Sequence, residues 1–178
     1  MMTIGHSTLE IEAFLRALKE NGVEILVDVR RFPGSRRNPQ FSQGALFGSL
    51  EGVGIRGVWR EGLGGRREAV PDSVNTGWRN EAFRGYADYM QTGAFAAEID
   101  WLVGLPEIDR TVVMCAEALP WRCHRSLIAD AVLARGLAVE DVFVKPDGES
   151  ERKAHAMTSF VQVRDGRVWY PKEPVLFG

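Results

Sequence analysis

Residues 111–144, TVVMCAEALPWRCHRSLIADAVLARGLAVEDVFV, decide the fold. Thr111 to Cys115 is a short apolar run of the kind that forms a strand buried on both faces. Ala116 to Arg122 reads as a loop. Leu127, Ile128, Ala131 and Val132 then recur at helical spacing, and Gly136 ends that helix. Ala138 to Val144 follows as the final parallel-type strand. Strands alternating with helices are the pattern of a layered α/β fold.

The same alternation runs through the rest of the chain. A very short strand at Thr3-Ile4 leads into Gly5-His6-Ser7. Ser7 and Glu10 have capping-box spacing, and Ile11, Phe14, Leu15 and Leu18 share a helical face that Asn21-Gly22 terminates. Val23 to Val29 is a strand, apolar except for Glu24 and Asp28. Gly44 to Leu50 suits a short helix, Gly54 to Trp59 a strand, and the polar stretch Arg66 to Arg79 a long loop of the length that is usually functional or disordered. Phe83, Tyr86, Ala87 and Met90 mark a helix, and Phe95, Ile99 and Leu102 mark another after Thr92-Gly93. Asp165-Gly166, between Phe160-Val-Gln-Val and Arg167-Val-Trp-Tyr, signals a hairpin. The expected architecture is one α/β domain over residues 1–178. It holds a Rossmann-like, mostly parallel layered sheet with helices on both faces and a C-terminal β-hairpin.

Composition narrows the function classes. No stretch approaches the roughly 20 apolar residues of a membrane span, and no basic and apolar leader opens the sequence, so the cytoplasm is the expected compartment. Two cysteines, Cys115 and Cys123, are too few for a disulfide framework and read as free thiols. A formal net charge of −2 argues against binding nucleic acid by bulk charge. Its distribution is uneven, however. Between residues 30 and 70 there are eight arginines (30, 31, 36, 37, 56, 60, 66 and 67) against three glutamates. Guanidinium forks suit planar anions such as phosphate and carboxylate.

In open parallel sheets ligands bind outside the carboxyl ends of the strands. Three strands here end in reactive residues: Gly5-His6-Ser7, Asp28-Val29-Arg30 and Cys115-Ala116-Glu117. Their convergence on one side of the sheet is the main functional expectation. Helix starts at Ser7 and at Cys123-His124-Arg125 favour an anion, with Arg30 and Arg125 adding charge. His6 or His124 serves as general acid or base, and Asp28 and Glu117 orient the histidines or activate water. Cys115 is a nucleophile only if a neighbouring cation stabilises its thiolate, and otherwise an inert apolar side chain.

Residues 115–125 also hold thiol, carboxylate and imidazole groups. Their spacing matches no zinc finger, no thioredoxin pair and no cysteine-phosphatase loop, so no structural metal is expected. A metal-dependent enzyme would need Cys115, Glu117, Cys123 or His124 to meet at one point. Gly62-Leu-Gly64-Gly65 lacks the helix and Lys-Ser/Thr pair of a phosphate loop and reads as a flexible or tight turn. Trp78 and Trp121 sit in polar loops, where they could stack on a base.

At Thr3-Ile4-Gly5-His6-Ser7, Asp28-Val29-Arg30 with Pro33 and Ser35, Leu63-Gly64-Gly65, and Cys115-Ala116-Glu117 with Cys123-His124-Arg125, the chain resembles the domain of unknown function 488 family. The resemblance implies a compact cytoplasmic α/β domain of prokaryotic type and treats these positions as one site. It implies no reaction and no cofactor. The leading expectation is an enzyme acting on a phosphate-bearing or other anionic small molecule, a nucleotide among the candidates. Its catalytic residues are His6, Asp28, Glu117, His124 and Cys115; Arg30, Ser7, Arg125 and Ser35 bind the substrate. The alternative is a non-enzymatic nucleic-acid or nucleotide-binding module using the Arg30–Arg67 basic patch.

Overall fold

The computed structural model describes residues 1–34 and 37–172. The chain forms β1 (Met2–Gly5), α1 (Ile11–Glu20), β2 (Ile25–Asp28), α2 (Gln43–Glu51), β3 (Arg56–Trp59), α3 (Glu81–Tyr89) and α4 (Gly93–Val103). It continues with β4 (Thr111–Cys115), α5 (Arg125–Ala134), β5 (Glu140–Val144), β6 (Ser150–Ala154), β7 (Gln162–Arg164) and β8 (Arg167–Trp169). One six-stranded sheet has the order β3-β2-β4-β1-β5-β6, parallel from β3 to β5, with β6 antiparallel at the edge. β7 and β8 make the separate hairpin, and Asp165 and Gly166 at its turn both have positive φ, 49° and 72°. That is the type I′ geometry which Asp-Gly favours.

Period-two alternation divides the core between the two faces of the sheet. Ile25, Val27, Val29, Val113 and Cys115 pack toward Tyr86, Phe95, Ile99, Leu102 and Leu127 of α3, α4 and α5. Met2, Ile4, Leu26, Val112 and Met114 pack toward Phe14, Leu18, Leu46 and Leu50 of α1 and α2. Among the described residues no helix is long and apolar enough to cross a membrane.

Two local expectations are corrected. No capping box forms at Ser7 and Glu10. Ser7 takes a left-handed φ of 47° and the chain turns there, so α1 starts only at Ile11 behind an extended Glu10 with no side-chain cap. The strand after α5 is not the last of the sheet. β6, Ser-Glu-Arg-Lys-Ala, pairs with β5 at the edge, and its charged, exposed residues show no apolar alternation. Of the two readings of Gly62-Leu-Gly64-Gly65, the tight turn is the one observed: Gly64 and Gly65 follow a short 3-10 turn and lie in close contact. A Cβ at Gly64 would stand 2.9 Å from the Arg31 backbone, and one at Gly65 would stand 2.9 Å from His124 Nδ1.

The 66–79 stretch is a loop, as expected, but a tied one. Asp88 accepts hydrogen bonds from Val70 N, Ser73 Oγ and Asn75 Nδ2 at 3.0, 2.6 and 2.8 Å. Trp78 is packed against Phe83 and Phe160 at ring distances of 4.7 and 5.0 Å, stacked on the first and edge-on to the second.

Candidate functional site

The sheet order places the site. β1 runs through α1 to β2 on one side, and β4 runs through α5 to β5 on the other. The two strands are neighbours, with Gly5 opposite Cys115, and their helices cover opposite faces. Adjacent parallel strands whose connections leave in opposite directions open a crevice at their carboxyl ends. A cleft of about 670 Å³ opens there, lined by His6, Ser7, Arg30, Glu117 and the exposed arginines Arg37, Arg66 and Arg122. A lobe of about 270 Å³ shares Arg30, Arg66 and Glu117 with it and reaches Cys115 and His124.

His6, Arg30 and Glu117 therefore meet at one cleft. Asp28 does not line it. It lies fully buried beneath Arg30, its carboxylate taking the guanidinium Nε at 2.9 Å and Nη2 at 2.5 Å. Arg30 Nη1 donates to the Phe41 carbonyl at 2.7 Å and lies 3.4 Å from His6 Nε2. His6 Nδ1 lies 2.9 Å from the Ser7 carbonyl, which only an N–H can satisfy, so Nε2 holds the lone pair facing Arg30. Burial, then the Arg30 charge, pushes the His6 pKa down to about 4. The ring is neutral at pH 7 and stacks on Phe41 at 4.1 Å.

Arg125 is buried as well, and its Nη1 and Nη2 donate to the carbonyls of Glu117 and Ala118. It holds the loop that carries Glu117 instead of facing the cleft. Gly5 has a matching reason to be glycine, because a Cβ there would stand 1.8 Å from the Glu117 carbonyl oxygen. Gly5→Ala is accordingly expected to displace residues 116–118 and to cost about 1–3 kcal/mol of stability, as overpacking does. Chemical denaturation measures this, and an unchanged midpoint would show that the loop yields freely.

On the lobe side, Cys115 and Cys123 are buried free thiols beside His124. His124 Nε2 lies 3.2 Å from the Val29 carbonyl and so carries the proton there, while Nδ1 faces Cys123 Sγ at 3.7 Å. The hydrogen bond from Cys115 lowers the Cys123 pKa, helped by His124 and Arg125 and opposed by burial. Donating that bond, and burial, raise Cys115. Of the two thiols, Cys123 is the one whose ionised form the surroundings favour.

Reading the sequence missed Arg37, Arg66 and Arg122. None of the three has an ion pair among the described residues, and Arg66 lies 5.5 Å over the exposed ring of Phe32. Arg37 and Arg66 belong to the noted arginine surplus, and Arg122 to the segment rich in ligand groups; exposure was the part no residue type reveals. The surplus itself does not form one continuous face. Arg30 is buried, Arg60 pairs with Glu98 at 2.7 Å, and Arg56 lies at the opposite, amino end of β3 near Glu107. Ser35 and Arg36 lie outside the described residues.

Compared with known proteins, residues 10–132 match a family model described as Domain of unknown function DUF488. No curated protein and no solved structure matches the chain.

Proposed function

The chain belongs to the family described as domain of unknown function DUF488, and we propose that it is an enzyme acting on a phosphate-bearing or similarly anionic small molecule. The carrying observation is the cleft at the β1–β4 crevice. It gathers three exposed arginines without ion pairs among the described residues, together with His6 and Glu117. Arg37, Arg66 and Arg122 hold the anion by charge-assisted hydrogen bonds. Phe32, 62% exposed and flanked by the guanidinium groups of Arg31 and Arg66, offers a flat apolar face. That pairing of anion sites with an aromatic face suits a nucleotide.

Arg30, fixed by Asp28 and Phe41, orients His6. Glu117, the carboxylate lining the cleft, activates water. An anion drawn against His6 offsets the Arg30 field and raises the imidazole pKa from about 4 toward the range where it can carry a proton. Asp28 and Arg125 act by positioning. The discontinuous arginine surface is the reason for preferring a small anionic ligand to a nucleic-acid duplex.

Phosphate or a nucleoside phosphate is expected to raise the melting temperature of the wild type, by about 2.7 kcal/mol of added stability at a hundred times the dissociation constant. Arg66→Ala and Arg122→Ala are each expected to weaken binding by about 10- to 150-fold, one charge-assisted hydrogen bond being worth about 1.5–3 kcal/mol. Equal responses from the wild type and both variants would remove the anion site.

A further inference from the structure

We infer that Cys115, Cys123 and His124 form a binding site for a borderline-soft divalent metal ion, Zn²⁺ in its chemistry, with a fourth coordination position open to the lobe beside Glu117. The Sγ atoms of both cysteines and one ring nitrogen of His124 all lie within 4.8 Å of one another. Cys123 Sγ and His124 Nδ1 are 3.7 Å apart. Zinc bonds of about 2.3 Å to sulfur and 2.0–2.1 Å to nitrogen put tetrahedral neighbours about 3.6 Å apart, so the pair spans one edge of such a tetrahedron. Two thiolates and one imidazole form a donor set that favours zinc over calcium or magnesium.

The surroundings supply what a ligand set needs. His124 Nε2 donates to the Val29 carbonyl at 3.2 Å, which orients the ring and leaves Nδ1 as the ligand atom. Gly65 keeps the space against Nδ1 clear, since a Cβ there would stand 2.9 Å from that nitrogen. Metal binding displaces the two thiol protons to solvent. Cys115 and His124 line the 270 Å³ lobe, so three protein ligands leave room for one exogenous ligand. Glu117 lines the same lobe with an exposed side chain and is outside the ligand set. The inference stands apart from the anion reading, because metal binding needs no substrate.

The test is a titration of the reduced, chelator-stripped full chain with Co²⁺, followed by displacement with Zn²⁺. One equivalent of Co²⁺ is expected to give a thiolate-to-cobalt charge-transfer band and the visible bands of a tetrahedral ion, both bleached by Zn²⁺. Cys115→Ser, Cys123→Ser and His124→Ala are each expected to weaken binding at least tenfold, with helicity retained by circular dichroism, whereas Glu117→Gln keeps the bands. Zn²⁺ should also protect both thiols of the wild type from alkylation, a readout that needs no variant to fold. Absence of a charge-transfer band, or thiols that alkylate equally fast with and without Zn²⁺, would overturn the site. Loss of the bands in Glu117→Gln would overturn the ligand set.

Discussion

Asp28→Ala is expected to destabilise the protein by about 3–5 kcal/mol, the cost of breaking a buried ion pair by removing one partner. Asp28 is fully buried and Arg30 is only 6% exposed, so the abandoned guanidinium cannot turn to water without leaving the Phe41 carbonyl. Asp28 also accepts the Arg30 backbone N–H at 3.0 Å, so the β2 end itself loosens. Replacing both partners by apolar residues of similar shape should recover most of the loss, because the desolvated charge is then gone. Urea denaturation of the single and double variants decides the matter. A single-variant loss below about 1 kcal/mol, the range of exposed pairs, would mean that water from the cleft already solvates Arg30.

The second large effect lies away from the cleft. His155 bridges Asp141 at 2.7 Å and Asp130 at 3.3 Å, with its side chain 5% exposed. Burial works against the charged ring, but the hydrogen bonds to Asp130 and Asp141 outweigh it and carry the pKa from 6.5 up to about 9. A raised folded-state pKa contributes stability that is complete below pH 6.5 and is lost as pH rises through 9. His155→Ala is expected to cost about 3–5 kcal/mol at pH 6, since it leaves two carboxylates without their cation. The cost should shrink as pH approaches 9.5. Denaturation at the two pH values checks it; an equal loss at both would show that the ring acts through packing and not through charge. The aspartates are also tied to Thr3 of β1 and to Tyr170 after β8, at 2.6 and 2.9 Å, so the variant should loosen the hairpin as well.

How far the sequence could be read depended on whether a signal was local. Ile25–Asp28 and Thr111–Cys115 announce themselves because strands covered on both faces must be apolar throughout. Asp165-Gly166 names its turn because only certain residues tolerate two consecutive positive φ values. β6 gave no such signal: its Ser-Glu-Arg-Lys-Ala lies mostly in solvent, and its place follows from pairing with β5. The convergence of His6, Arg30 and Glu117 was legible from strand ends alone. What each arginine does was not. Arg30 and Arg125 are spent on Asp28 and on loop carbonyls, while Arg37, Arg66 and Arg122 face the cleft. Residue type is silent on that difference, which packing at long range decides. The same holds for Cys123, whose spacing from Cys115 matches no metal or redox motif, yet its thiol, that of Cys115 and a ring nitrogen of His124 lie within 4.8 Å of one another.

β1 sits between β4 and β5, its residues 2–4 aligned with 112–114 and 140–142. On a ribosome adding about 5–20 residues per second, Thr3 and Ile4 emerge roughly 6 to 22 s before the strand that will pair with them. Until then an apolar strand and the future His6 have no sheet to join, and β2 and β3 can pair only with each other. β1, made well before its partners, is thus paired late, and the crevice beside it takes shape only once β4 has been made. A nascent chain stalled before β4 should hold helices α1 to α4 and the β2–β3 pair at most, with both edges of that pair open to chaperones and to other copies of itself.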